Sequence, residues 1–274
     1  MLLVEKYRPR QIADFIGLDG PKASLARFCR EPEPGAAFLF VGPPGTGKTT
    51  MGRVVADKLN AALILVAAQK ANVESINAVW GDVHYYPPEG KSGWVVQVEE
   101  ADQMSRAAQL ALLSFLDSSA NLTFDFGGAM REREPLPVTW IFTANGKGEE
   151  GTTPPDGLEP RFRSRCLPLK FDRVSTRNQL PSLLRRIWSD AGGNGQLSMA
   201  DLEEIAVDSQ GSVRDALQAL QLKLLECDCT PEPPQVELDE NAWTCHDAGI
   251  VQIRDSIRRR ALNARGRKGL HDRH

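Results

Sequence analysis

The stretch FLFVGPPGTGKTTMGRVVADKLN, residues 38–60, decides how the rest of the chain reads. An apolar run, Phe38–Val41, gives way to Gly42-Pro43-Pro44-Gly45-Thr46-Gly47-Lys48-Thr49-Thr50, and an amphipathic helix pattern follows. Gly42, Gly45 and Gly47 allow positive φ angles and a close backbone approach, so successive N–H groups can surround a phosphate. The helix behind them turns its positive dipole end toward the same anion. Lys48 is placed to bridge the outer phosphates and Thr49 to ligate magnesium. A strand before and a helix after is the context that separates this motif from an accidental glycine-rich turn. Residues 43–50 therefore read as a nucleoside triphosphate site.

Composition sets the frame around that site. The chain has 274 residues, 41 % hydrophobic and 25 % charged, enough for one large or two small domains with a sizeable core. No apolar run approaches the roughly 18 residues of a membrane span, so no membrane partner is expected. The opening MLLVEKYRPR lacks the pattern of a signal peptide. Five scattered cysteines fit a reducing compartment, and cytoplasmic residence is the expectation. A net charge of −3 argues neither for nor against nucleic acid.

Downstream, strand and helix patterns alternate as a doubly wound sheet requires. Residues 62–68 read as a strand, 73–80 as a helix, 94–98 as a strand, 105–117 as a helix and 137–145 as a buried strand ending at Asn145. Ligands in such sheets lie beyond the carboxyl ends of the strands. The loop at 42–49, the adjacent Glu99 and Glu100, and Asn145 all fall there and should converge. Two neighbouring carboxylates repel each other unless a cation and an activated water give them a task; a stray surface pair is the alternative. Gln97 is out of place in an otherwise apolar strand. It faces a gap or a polar network, or it marks looser packing.

Four segments in this order make the chain resemble an AAA+ ATPase, and within that superfamily the small clamp-loader subunits of replication factor C and its bacterial counterpart. The phosphate loop is one. VEKYRPRQIADFIG (4–17) is similar to the opening box of those subunits, RSRC (163–166) to their Ser-Arg-Cys motif, and GSVRDALQALQ (211–221) to the lid helix with the second sensor arginine. The resemblance spans residues 1 to about 229. It implies an α/β P-loop AAA+ module with a doubly wound parallel sheet over 1–172, a small all-helical lid over 173–229, and a linker and tail over 230–274.

The same resemblance assigns roles. Tyr7, Arg8 and Pro9 would lie against the adenine of ATP, with Pro43, Pro44, Gly45, Thr46, Gly47, Lys48, Thr49 and Thr50 around the phosphates. Glu100 would polarise the attacking water, while Thr49 and Glu99 would hold Mg2+. Asn145 would orient that water or sense the γ-phosphate; a simple strand-end turn residue is the alternative. Arg214 would contact the γ-phosphate from the lid, unless it is a solvated helix arginine. Arg165 would act in trans on a neighbouring subunit's ATP, with Arg161 and Arg163 competing for that part. The complete site would then span two chains, in a ring or spiral of like or related AAA+ subunits.

Three helical patterns, 176–192, 198–210 and 212–226, fit the lid. Ser175 or Thr176 is expected to cap the first, with Pro181 early enough to be tolerated, and Ser198 to cap the second with Asp201 in its opening turn. Leu217, Leu220, Leu224 and Leu225 form a stripe expected to be lid core. The sequence departs from the loaders at three points. Glu99 stands where they have aspartate, only 45 residues follow the lid, and no zinc module follows the phosphate-loop helix. Cys227, Cys229, Cys245 and His246 straddle a linker and make a poor metal set.

Residues 118–136 carry an alternation, then Gly127-Gly128, then a charged return, which reads as a β-hairpin where clamp loaders are short. Such insertions occur in remodelling AAA+ branches, including Lon proteases, magnesium-chelatase-like ATPases and the Holliday-junction motor; an exposed hairpin without a substrate is the bland alternative. At the C-terminus, residues 230–247 hold five acids, three prolines and no Lys or Arg, and residues 248–274 hold eight Lys or Arg against two acids. The first reads as a linker. The second reads as a basic amphipathic helix for a partner or nucleic acid, or as a frayed tail. Two functions are thus expected: ATP hydrolysis in a clamp-loader-like oligomer acting on DNA and a sliding clamp in replication or repair, or a remodeller whose hairpin grips polypeptide. A slow ATP-dependent assembly switch is the third.

Overall fold

The structure is a computed structural model, and it describes residues 2–84, 87–120, 123–126, 129–132, 137–147, 153–193 and 197–228. The expected linker, basic tail and cysteine set at 227–246 therefore lie outside the described residues or their described side chains.

The order of elements follows the hydrophobic pattern. A short helix α1 (Leu3–Lys6) and α2 (Asp19–Phe28) precede β1 (Ala37–Val41), whose five residues are all buried. Next come α3 (Lys48–Lys58), β2 (Ala62–Ala67), α4 (Val73–Val83), β3 (Trp94–Glu99) and α5 (Arg106–Ala120). A two-stranded antiparallel pair, β4 (Thr123–Phe126) with β5 (Ala129–Glu132), stands between α5 and β6 (Val138–Ala144), where a hairpin is expected. Then α6 (Pro160–Arg163), β7 (Leu167–Lys170) and three lid helices close the described chain: α7 (Gln179–Asp190), α8 (Met199–Asp208) and α9 (Val213–Asp228). Among the described residues no helix is long and apolar enough to cross a membrane.

Five strands form one parallel sheet in the order β2-β3-β6-β1-β7. Strands buried on both faces need apolar residues throughout rather than alternation, which is why β1 and β6 read as continuous runs. One face carries Leu39, Val96, Val98, Trp140, Phe142 and Phe162; the other carries Phe38, Phe40, Val95, Ile141 and Phe171 with Met51 and Val55 of α3. Burying each such side chain contributes about 1.5–3 kcal/mol. A third cluster joins Leu180, Leu184, Ile187, Leu202, Leu217 and Leu220 of the lid to Leu3, with Val4, Tyr7 and Ile16 packed against it. The first helix is pinned there by the Leu3 N–H, which donates to Gln221 Oε1 at 2.9 Å.

Two expectations for the lid are corrected. Helix α7 starts at Gln179, with Asn178 rather than Ser175 or Thr176 at the cap position. A start at Thr176 would bring Pro181 to a depth where the helix needs its missing N–H; starting later leaves it in the first turn, where none is needed. Leu217 and Leu220 are buried and Leu224 is packed against the core, but Leu225 is 51 % exposed and is not lid core. The second cap is as expected. Ser198 Oγ accepts from the Asp201 N–H, and the Asp201 carboxylate accepts from the Ser198 N–H, forming a capping box.

Candidate nucleotide site

The carboxyl ends of β1, β3 and β6 bring the expected residues together. Gly45 and Gly47 hold φ at +80° and +91°, so the loop turns through conformations that only glycine adopts without strain. A methyl group at Gly42 would lie 2.2 Å from the Phe171 carbonyl oxygen, and one at Gly45 would lie 2.1 Å from Ser212 Oγ. The loop is thus wedged between the end of β7 and the start of α9, with no room for a side chain at either position. Inside it, Thr46 Oγ1 donates to the Pro43 carbonyl at 2.9 Å.

Lys48 is 9 % exposed. Its Nζ donates to the carbonyls of Gly42 (2.6 Å) and Pro43 (2.8 Å) and to Asn145 Oδ1 (3.3 Å), across 97 residues of sequence. Burial lowers its pKa to about 8; Asp102 and Glu100 work against that shift, and Arg214 adds to it. One ammonium therefore senses the end of β3, the end of β6 and the lid. Arg214, in the opening turn of α9, is exposed and has its Cβ beside Gly45.

Glu99 is half-buried and Glu100 exposed. Glu100 adopts a left-handed conformation (φ 56°), its N–H donates to Thr143 Oγ1 at 3.2 Å, and Gln69 Nε2 donates to its carboxylate at 3.4 Å. The two neighbouring carboxylates take different partners, Gln69 for Glu100 and Gln97 for Glu99. Gln97 belongs to a polar network. It is fully buried, and its Nε2 donates to the Thr49 carbonyl and to Glu99 Oε1, each at 3.3 Å.

Sequence reasoning passed over several residues here. Asp102 Oδ1 accepts from the Asn145 N–H at 3.2 Å and fixes the end of β6. It sits three residues beyond Glu99, where an acidic residue after a carboxylate pair was the available signal. Buried Gln109 donates to the carbonyls of Met104 and Gly157 and accepts from the Glu159 N–H at 2.7 Å, tying α5 to the segment leading into α6. Nothing in its local sequence distinguishes it from an ordinary helix glutamine.

The remaining expected residues are more dispersed. Tyr7 is half-buried against the lid cluster; Arg8 pairs with Glu5 on the surface. A cleft of about 390 Å³ is lined by Ile16, Asn178, Gln179, Ser182, Leu183 and Arg186. Phe15, next to Ile16 in sequence, has its ring beside the phosphate loop at Gly47. Arg165 is exposed and bidentate to Asp117 of α5 (2.7 and 2.8 Å), and its Nη1 donates to the Arg161 carbonyl. That pairing holds the Asp117 carboxyl below its usual range. Cys166 beside it is buried, which pushes its thiol up to about 12.

Residues 38–168 match the family model described as "ATPase family associated with various cellular activities (AAA)". Those residues carry the AAA ATPase domain pattern. The chain resembles the small subunits of clamp loaders: it is 26 % identical to replication factor C subunit 4 of Encephalitozoon cuniculi, over 87 % of this chain and 68 % of that protein. It is 36 % identical to replication factor C small subunit 1 of Pyrobaculum arsenaticum over 80 % of this chain and 60 % of that protein. Against the replication factor C small subunit of Aeropyrum pernix the figures are 29 %, 81 % and 62 %. The chain thus spans between three fifths and about two thirds of the length of these relatives. In fold, the module is similar to the Thermotoga maritima RuvB Holliday junction branch migration motor, with a TM-score of 0.60, 21 % identity and 80 % of this chain and 67 % of that one covered.

The residues present fit a nucleotide with a hard divalent cation. The glycine loop has no room for side chains at Gly42 and Gly45, and the Lys48 ammonium beside it is a charge that phosphate oxygens can meet. Thr49 and Glu99 are oxygen donors of the type magnesium prefers, and one amide, that of Gln97, bonds both residues.

Proposed function

We propose that the protein binds and hydrolyses ATP as one subunit of a clamp-loader-like oligomer acting in DNA replication or repair. The observation that carries the reading is Lys48, which bonds Asn145 and lies under the fields of Asp102, Glu100 and Arg214. Phosphate oxygens would give its ammonium a charged partner in place of loop carbonyls. Glu100 accepts the proton of a water whose oxygen attacks the γ-phosphorus, and the bond from that phosphorus to the bridging oxygen breaks to leave ADP and phosphate. Asn145 orients that water. Thr49 and Glu99 hold Mg2+, which, when bound, neutralises charge on the phosphates. Arg214 reports the γ-phosphate to the lid.

The adenine lies against Tyr7, Arg8 and Pro9 of the opening segment. Arg165 serves a neighbouring subunit, so the working unit is an assembly of like or related AAA+ chains around DNA and a sliding clamp, in the cytoplasm. What supports this choice among AAA+ activities is the likeness to replication factor C subunits in three organisms.

An ATPase assay with and without primed DNA and clamp, on the wild type and Glu100→Gln, tests the reading. Stimulation by both, lost in Glu100→Gln with ATP still bound, is expected. Activity indifferent to DNA and to Glu100→Gln would overturn it, and tight binding with almost no turnover would point to an assembly switch. The antiparallel β4–β5 pair favours a second reading, a remodeller that grips polypeptide; stimulation by an unfolded protein instead of DNA would select it.

A further inference from the structure

Gln97 sits in the middle of β3 with no exposed surface, among Val95, Val96 and Val98. Burying an amide there is costly, and an apolar residue would pack with its neighbours. Its Oε1 is buried with no hydrogen-bond partner. Room for it comes from Gly52 of α3, where a methyl group would lie 2.1 Å from that oxygen. The amide is therefore held facing one way, with Nε2 directed at two acceptors: the Thr49 carbonyl on α3 and Glu99 Oε1 at the end of its own strand. Residues 97 and 99 share a face of the strand, the face turned to α3.

We propose that Gln97 is a positioning residue for the cation: its amide sets the Glu99 carboxylate and the first turn of α3, which carries Thr49, at a fixed spacing before magnesium arrives. Gly52 is part of the same device because its missing side chain admits the amide. The inference rests on the assignment of Thr49 and Glu99 as magnesium donors. Groups that orient a metal's donors typically change its affinity by about 10–100-fold when removed.

The test is a titration of magnesium into the full chain with a fluorescent non-hydrolysable ATP analogue, beside the same binding in EDTA. Gln97→Leu removes the amide and Gln97→Asn keeps it but shortens its reach. Both are expected to raise the magnesium concentration at half-effect about tenfold or more while leaving metal-free affinity within twofold. Should either fold poorly, Gly52→Ala displaces the native amide from the helix side and is expected to move the midpoint the same way. A midpoint unchanged in the folded variants overturns the role of Gln97 while leaving magnesium at the site. If magnesium does not tighten analogue binding to the wild type, the donor assignment itself falls, and this inference with it.

Discussion

Arg165 and Asp117 are joined by two parallel hydrogen bonds, from Nε and Nη2 to the two carboxylate oxygens. The arginine expected to reach a neighbour's nucleotide is thus held on its own chain, between α5 and α6. Because the pair is largely exposed, it costs little to open. Asp117→Asn is expected to leave the fold intact and turnover equal to or above that of the wild type. Arg165→Ala should retain ATP binding and lose turnover by about 10³-fold. Mixing Arg165→Ala with Glu100→Gln protein should restore part of the activity, since each supplies what the other lacks. No recovery on mixing would place the finger elsewhere, with Arg163 next to test.

The pH dependence of binding follows from Lys48. Its pKa is lowered to about 8 by burial, and a phosphate beside it favours the ammonium. Binding therefore takes up a proton above that pH, so affinity for ATP should be level below pH 8 and fall beyond it, by at most about tenfold per unit. Lys48→Met should bind weakly and lose this slope, as calorimetry in buffers of different ionisation enthalpy would read. For folding the sign is opposite. The unfolded chain keeps the proton up to the ordinary value of 10.5, so this group's contribution to stability rises between pH 8 and 10.5.

The phosphate loop tolerates no added side chain. Gly45→Ala would force Ser212 Oγ away from 2.1 Å and strain a φ of +80°. Loss of nucleotide binding is expected, with the sheet intact by circular dichroism. A variant that binds as the wild type would show that the loop and the lid are not in register.

The lid core gives a stability test. Leu184 is fully buried in α7 against α8 and α9. Leu184→Ala should cost about 2–5 kcal/mol in urea unfolding. Leu225→Ala, at a position 51 % exposed, should change stability by less than about 0.5 kcal/mol.

Replacing residues 123–132 by a short glycine-serine link separates the two functional readings. ATP binding should be unaffected. Retained stimulation by DNA and clamp would leave the β4–β5 pair as an accessory, whereas loss of stimulation by polypeptide alone would make it the grip.

What the sequence by itself determined is local: a glycine-rich loop between a strand and a helix, strands too apolar to face water, a Ser198–Asp201 cap, and an alternation that pairs as β4 and β5. These follow from conformational freedom, periodicity and short-range hydrogen bonding, all of which act within a few residues. That Lys48, Glu100 and Asn145 lie near one another was legible because strand ends in a doubly wound sheet must meet. Tertiary structure alone decided that Gln97 bonds Glu99 and Thr49, that Gln109 ties α5 to the segment before α6, that Asp102 fixes Asn145, and that Arg165 is paired with Asp117. Each of these four includes a contact across 43 to 48 residues, and Gln97 also bonds Glu99 because pleating turns both to α3. A hydrogen bond stretches over a few ångströms, and the chain's path through the sheet, not its order, sets which groups come within that distance.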